Sequence, residues 1–261
     1  MTSYVEQVLH NDPTYQPLKE ALRQSGDAAL KYFGQVRAEK KPDGSHITEA
    51  DRACEAVLLK QLQLHFPGTG IISEEGARHE GSQGTWYVDP IDGTSAFLER
   101  LAHWGPTVCL VKDGRLVLGA LWIPLLEEFW YAREGGGAWR NDERLLPPRI
   151  ERLQKSDALY VPSRFHSLDF SGWQGKTRAL GSSAVHLAQV AAGHAVAAVI
   201  AKWNIWDVGC GALLVSEAGR SLCDRHGEPI NLIEQTGEPF LAGDSVVLPR
   251  IVALLQNAVS P

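Results

Sequence analysis

The sequence predicts a layered α/β fold, on three observations. Apolar residues recur at helical spacing in two early segments, Leu18, Ala21, Leu22, Ala29, Tyr32 and Phe33, then Ala53, Val57, Leu58, Leu62 and Phe66. Short apolar runs of strand character follow, at Gly70–Ile72, Thr85–Val88, Thr107–Val111, Leu116–Trp122 and Glu128–Ala132. In the second half, small-residue helical patterns alternate with one apolar run. Strands interleaved with helices bury their apolar faces best in stacked layers.

Taken in order, the first helix leads into a loop, Lys40-Lys41-Pro42-Asp43-Gly44-Ser45. Thr48-Glu49-Ala50-Asp51 reads as the cap of the second helix, which Pro67-Gly68 ends. Asp113-Gly114 between two apolar runs signals a tight hairpin, and the third strand of that meander closes at the glycine run 135–137. Pro147-Pro148 marks the expected boundary between an N-terminal half, 1–147, and a closely packed C-terminal half, 148–261. Beyond it come a helix from Ser182 or Ser183 to Gly193, a buried strand over Ala195–Ala201, and a helix from near Asp207 to Gly219.

Composition narrows the function classes. Of 261 residues, 44% are hydrophobic and 21% charged, as in an ordinary soluble protein. A formal charge of −6 leaves no basic surplus for a nucleic-acid backbone. No uninterrupted apolar stretch approaches the ~20 residues that span a bilayer, and the first residues lack a secretory pattern, so a cytoplasmic protein is expected. The four cysteines, Cys54, Cys109, Cys210 and Cys223, are too scattered for a disulfide framework or zinc knuckle.

The chemistry concentrates in acids. Trp86-Tyr87-Val88 delivers Asp89 at a strand end, Pro90 fixes the turn, and Asp92 returns beside Gly93-Thr94. Two carboxylates this close repel unless a cation lies between them, and oxygen-only donors suit magnesium. Glu74, after another apolar run, and Asp207, at a helix start, could reach the same ion. Taken singly, each acid also has an ordinary structural use: an Asx turn for Asp89 and Asp92, an exposed loop for Glu74, helix caps for Asp207 and Asp51. All of them together point to a metal site.

Asp89-Pro90-Ile91-Asp92-Gly93-Thr94 and Trp206-Asp207-Val208-Gly209 resemble the two signatures of the inositol monophosphatase family. Glu74-Glu75 and Lys41…Thr48-Glu49-Ala50-Asp51 match its order. The resemblance covers nearly the whole chain. It implies an αβαβα sandwich of the inositol monophosphatase and fructose-1,6-bisphosphatase type, usually a homodimer, with two or three Mg2+ per active site. One metal is implied among Glu74, Asp89 and the Ile91 carbonyl, and a second among Asp89, Asp92 and Asp207. Thr94 paired with Asp51 would orient the attacking water beside Glu74, and the amides of Gly93 and Thr94 would cradle phosphate. Lys41 would lie near the metals. Ser163, Arg164, Gly181, Ser182, Ser183 and Lys202 are the expected substrate contacts.

The expected activity is magnesium-dependent hydrolysis of a small phosphorylated metabolite by activated water. Members that hydrolyse inositol phosphates carry an acid about seven positions before the second-signature aspartate, where this chain has Ile200. Phe97–Val111, with His103-Trp104-Gly105, resembles members acting on histidinol phosphate. A 3'-phosphoadenosine 5'-phosphate phosphatase is a further alternative within the family. A haloacid-dehalogenase-type enzyme needs Asp-x-Asp-Gly-Thr, whereas the aspartates here are three apart. A catalytically silent metal-binding interaction protein is the non-enzyme alternative, opposed by the joint presence of Glu74, Thr94 and Asp51.

Overall fold

The computed structural model describes residues 9, 12–41, 46–165, 170, 172–234 and 237–257. Helix α1 (Tyr15–Leu30) and helix α2 (Glu49–His65) form the outer layer on one side. Both were legible from their apolar spacing, and residues 42–45 of the expected loop lie outside the described residues. Before α2, β1 (Glu39–Lys40) and β2 (His46–Ile47) make a two-stranded ribbon. Thr48 caps α2 through a capping box: its hydroxyl accepts from Ala50 N at 3.1 Å, and Asp51 Oδ2 accepts from Thr48 N at 2.7 Å.

The large sheet has eight strands: β3 (Gly70–Ser73), β4 (Arg78–His79), β5 (Thr85–Asp92), β6 (Gly105–Lys112), β7 (Arg115–Ile123), β8 (Glu128–Arg133), β9 (Gly137–Arg140) and β10 (Glu143–Arg144). Their spatial order is β10-β9-β8-β7-β6-β5-β3-β4, and β3 with β5 is the parallel pair. The β6–β7 turn puts Asp113 at φ 51° and Gly114 at φ 73°, the left-handed pair that a type I′ hairpin requires. A short helix, α3 (Thr94–Leu98), follows β5.

A second sheet comprises β11 (Ala158–Tyr160), β12 (Lys176–Arg178), β13 (Ala197–Ile200), β14 (Ser221–Asp224) and β15 (Phe240–Gly243), in the order β12-β11-β13-β15-β14. Helices α4 (Ser183–Ala191) and α5 (Ile205–Glu217) lie between the sheets, and α6 (Leu248–Asn257) covers the outer face of the second. The order is therefore α1/α2, large sheet, α4/α5, small sheet, α6: the expected αβαβα sandwich.

Each interlayer space has its own apolar filling. Leu18, Leu22, Leu58, Trp86 and Tyr131 close the space between the outer helices and the large sheet. Leu121, Trp130, Leu187, Val208, Leu214 and Phe240 fill the middle. Leu159, Val199, Leu241 and Ile251 lie under α6. A fourth cluster, with Cys54, Ile91, Phe97 and Trp104, floors the turn after β5. A buried aromatic of this size stabilises by several kcal/mol, about 25 cal/mol per Å2 of apolar area, before conformational entropy is subtracted. Among the described residues no helix is long and apolar enough to cross a membrane.

Candidate active site

The parallel pairing of β3 with β5 brings the first two acids together. Ser73 is in register with Val88, and Glu74 N donates to Val88 O at 3.0 Å, so Glu74 and Asp89 leave the sheet at the same end. Asp89 pairs with Thr107 and Asp92 with Gly105, a register shift that places Pro90 and Ile91 in a bulge. The bulge lets both aspartates face one side. From the second half, α5 comes down on the large sheet with Asp207 in its first turn. Close approach requires Gly209, whose added Cβ would sit 2.3 Å from Cys109 Sγ.

One carboxylate oxygen each from Glu74, Asp89 and Asp207 lies within 4.8 Å of the others. Asp92 and Asp51 are buried beside them, and the charge of Glu74 acts on both. Two of the structural uses anticipated for these acids are also realised, at Asp89 and Asp207, while Asp92 finds partners far along the chain instead. Asp89 Oδ1 accepts from Ile91 N at 2.9 Å and Asp207 Oδ2 from Asn204 N at 2.6 Å. Asp92 Oδ2 accepts from Ala184 N at 2.8 Å and from the Ser182 hydroxyl. Each of these three carboxylates is thus held through one oxygen by donors of the fold.

The charges are poorly compensated. Burial, then the neighbouring Glu74, Asp92 and Asp207, pushes the Asp89 carboxyl well above its ordinary range. Burial followed by Asp92 does the same to Asp207. Burial lifts Asp92 to about 6 against the opposing bonds from Ser182 and Ala184. Asp51 is raised mainly by burial, opposed by Thr48. Lys41 Nζ donates to Glu74 at 2.9 Å and to Glu75 at 2.8 Å. Burial would lower the Lys41 ammonium, but these two carboxylates outweigh it and hold it raised. One ammonium does not balance five acids. A set made only of carboxylate oxygens, converging and short of positive charge, fits a hard divalent cation such as magnesium.

Two expectations change. The Thr94–Asp51 hydrogen bond is absent among the described residues: Thr94 Oγ1 donates to Ile91 O at 3.2 Å, and Asp51 Oδ2 is held by the backbone and hydroxyl of Thr48. The capping box competes for Asp51 and wins because both donors are on its own helix end. Ser182 was expected to touch substrate, but it is 1% exposed, caps α4 by accepting from Val185 N at 3.0 Å, and donates to Asp92. Of the other expected contacts, Ser183 is half-buried, Ser163 and Arg164 are exposed in the turn after β11, and Lys202 is exposed between β13 and α5. Ile200 is buried in β13, paired with Phe240. Gly93 caps α3 at φ 91°, with His103 O and the Ser182 Cβ both 3.0 Å from an added Cβ, so this turn requires glycine. Sequence reasoning missed the Ala184 amide on Asp92, which the cap signature of Ser182 could have suggested.

The sequence pattern of the inositol monophosphatase family matches residues 10–260. An inositol-1-monophosphatase of Mesorhizobium japonicum is 32% identical over 260 residues, covering 93% of this chain and 94% of the relative. A histidinol-phosphatase of Chlorobaculum parvum is 28% identical, covering 94% and 97%. The solved structure of a Thermotoga maritima IMPase superposes with a TM-score of 0.84 at 28% identity, over 92% of this chain and 96% of that one. With its layered fold and its converging acids, the chain belongs to the inositol monophosphatase family, a family of phosphoric monoester hydrolases.

Proposed function

We propose that this chain hydrolyses a small phosphate monoester with magnesium and an activated water. The observation that carries it is the convergence of Glu74, Asp89 and Asp207 to within 4.8 Å, from three separate stretches of chain. In this reading Glu74, Asp89 and the Ile91 carbonyl form one cation position, and Asp89, Asp92 and Asp207 a second. Bound magnesium would lower the pKa of a coordinated water and stabilise charge on the leaving oxygen. Having donated to Ile91 O, the Thr94 hydroxyl presents its lone pairs to a water as acceptor, and Glu74 is left to take the proton. The amides of Gly93 and Thr94, where α3 begins, receive the phosphoryl oxygens. Lys41 adds positive charge at the same rim. The chain thus supplies positioning and electrostatics, and no covalent nucleophile.

The organic half of the substrate is read from Ile200. Its side chain is 2% exposed and lies in the middle apolar cluster, so it offers a polyol no acceptor. This speaks against inositol 1-phosphate, and histidinol phosphate, the substrate named for one of the relatives, is the first candidate in its place. Chelator-stripped protein is expected to release no phosphate, to recover with Mg2+, and to prefer histidinol phosphate in a panel with inositol 1-phosphate, fructose 1,6-bisphosphate and the adenosine bisphosphate. Absence of magnesium-dependent release from every member refutes the assignment. A homodimer in the cytoplasm belongs to the same proposal, with light scattering as the check on oligomeric state.

Asp92 must be ionised to take a cation, and its carboxyl is pushed up to about 6. Magnesium affinity is therefore expected to rise between about pH 5 and about pH 7, with proton release on binding. Titration calorimetry in buffers of different ionisation enthalpy measures both. A flat affinity over that range would contradict the assignment of Asp92.

A further inference from the structure

We propose that His186 is a positioning residue for the active site, acting on Asp92 by pinning the turn over residues 180–184. The inference rests on the assignment of Asp92 to a cation position.

His186 sits in the first turns of α4, 4% exposed, where an aliphatic residue would satisfy packing alone. Its ring is tilted against Tyr160, with centroids 5.3 Å apart. Its Nε2 accepts the Leu180 N–H at 2.8 Å, while its backbone N–H makes the ordinary helical bond to Ser182 O at 3.1 Å. The side chain therefore ties the start of the turn to the helix. Accepting through Nε2 places the single ring proton on Nδ1. Burial, with a smaller contribution from His103, lowers the imidazole to about 4, so the neutral acceptor persists through the neutral range.

What this turn carries is the grip on Asp92. The Ser182 hydroxyl and the Ala184 N–H both bond Asp92 Oδ2. The turn also lies directly on the site's own backbone. An added Cβ at Gly181 would be 3.0 Å from the Ala96 Cβ, and one at Gly93 would be 3.0 Å from that of Ser182. A residue 186 without an acceptor leaves the Leu180 N–H unpaired, so the turn lifts toward water and takes the two donors with it. Asp92 then loses the two donors that fix the orientation of its carboxylate. Partners that orient a ligand in this way typically change metal affinity 10–100-fold.

The test compares His186→Leu, which removes the acceptor, with His186→Gln, whose side-chain oxygen can accept the same N–H. Mn2+ binding is measured by calorimetry on the full chain without substrate, alongside thermal unfolding. His186→Leu is expected to bind roughly tenfold more weakly than wild type, and His186→Gln within about threefold of it. Should the leucine variant not fold, long-range 15N spectroscopy of the wild-type imidazole gives an independent result, expected to show the proton on Nδ1. Leucine and wild type binding alike, glutamine as weak as leucine, or a proton on Nε2 would each overturn the role of His186. Failure of wild type itself to bind Mn2+ would overturn the metal assignment, and this inference with it.

Discussion

Asp89→Asn is expected to abolish magnesium-dependent phosphate release, by about 10^3-fold or more, while making the metal-free protein more stable. The loss of activity follows from geometry, since Asp89 is the carboxylate shared by both proposed cation positions and its loss removes several kcal/mol of transition-state stabilisation. The gain in stability follows from charge. Asp89 is 3% exposed and its carboxyl is held high by burial and by Glu74, Asp92 and Asp207. For acids raised in the fold, the native chain retains protons that the unfolded chain releases. Metal-free stability therefore falls as pH rises from the ordinary value, 3.8 for Asp92, through about 6, and stays reduced above. Asparagine at position 89 removes one charge from the cluster and keeps an oxygen to accept from Ile91 N, so the turn survives. Thermal unfolding near pH 8, with and without Mg2+, should show a higher melting point for the metal-free variant and little further gain on adding magnesium. A variant less stable than wild type without metal, or one that keeps its activity, contradicts this account.

Gly209→Ala is expected to lower the melting temperature by roughly 2–8 °C and to weaken magnesium binding without touching any acid. Two effects oppose each other. Alanine in a helix gains about 1 kcal/mol over glycine. Against that, the new Cβ would lie 2.3 Å from Cys109 Sγ and 3.0 Å from its Cβ. Cys109 has nowhere to yield, since it is fully buried and its thiol already meets Ile205 O at 3.6 Å. Overpacking a closed contact costs about 1–3 kcal/mol or more, and a chain of this size shifts by roughly 2–4 °C per kcal/mol, so the clash wins. Helix α5 must rise from the sheet, and Asp207, two residues before Gly209, rises with it. Cys109→Ala in the same chain should recover part of both losses, because the two sites share one space. Simple additivity of the two substitutions would show that the helix does not move.

The parts of the site legible in the sequence are those where one residue does its work beside its chain neighbours. Asp89 follows an apolar strand, Asp92 follows the proline turn, and Thr48 with Asp51 spells a cap. The hairpin at Asp113-Gly114 and the helical spacing of α1 and α2 are local in the same sense. What failed was pairing at a distance. Whether Asp51 turns to Thr94 or to Thr48 depends on competition between donors, and spacing does not decide it. Ser182 and Asp92 are 90 residues apart, and only the packing of α4 against the turn after β5 makes them partners. Much of the second sheet was also silent. Lys176–Arg178 is a three-residue, largely exposed strand with no alternation to read, and Phe240–Gly243 is short, buried on both faces, and paired antiparallel with β13. His186 reads in sequence as one polar residue on an apolar helix, and its bond to the Leu180 amide exists only once the turn is folded back.

Asp51 and Asp207 occupy equivalent places, each the third residue of its helix with an oxygen on the amide of the cap residue. A pseudoenzyme descended from this chain would therefore keep both, simply to stop two helices unravelling at their ends. Glu74 has no such second employment: its side chain meets Lys41, on the neighbouring loop, and no backbone amide among the described residues. Drift at position 74 thus makes the sensitive marker of abandoned turnover, whereas persistence at 51 and 207 testifies to folding alone.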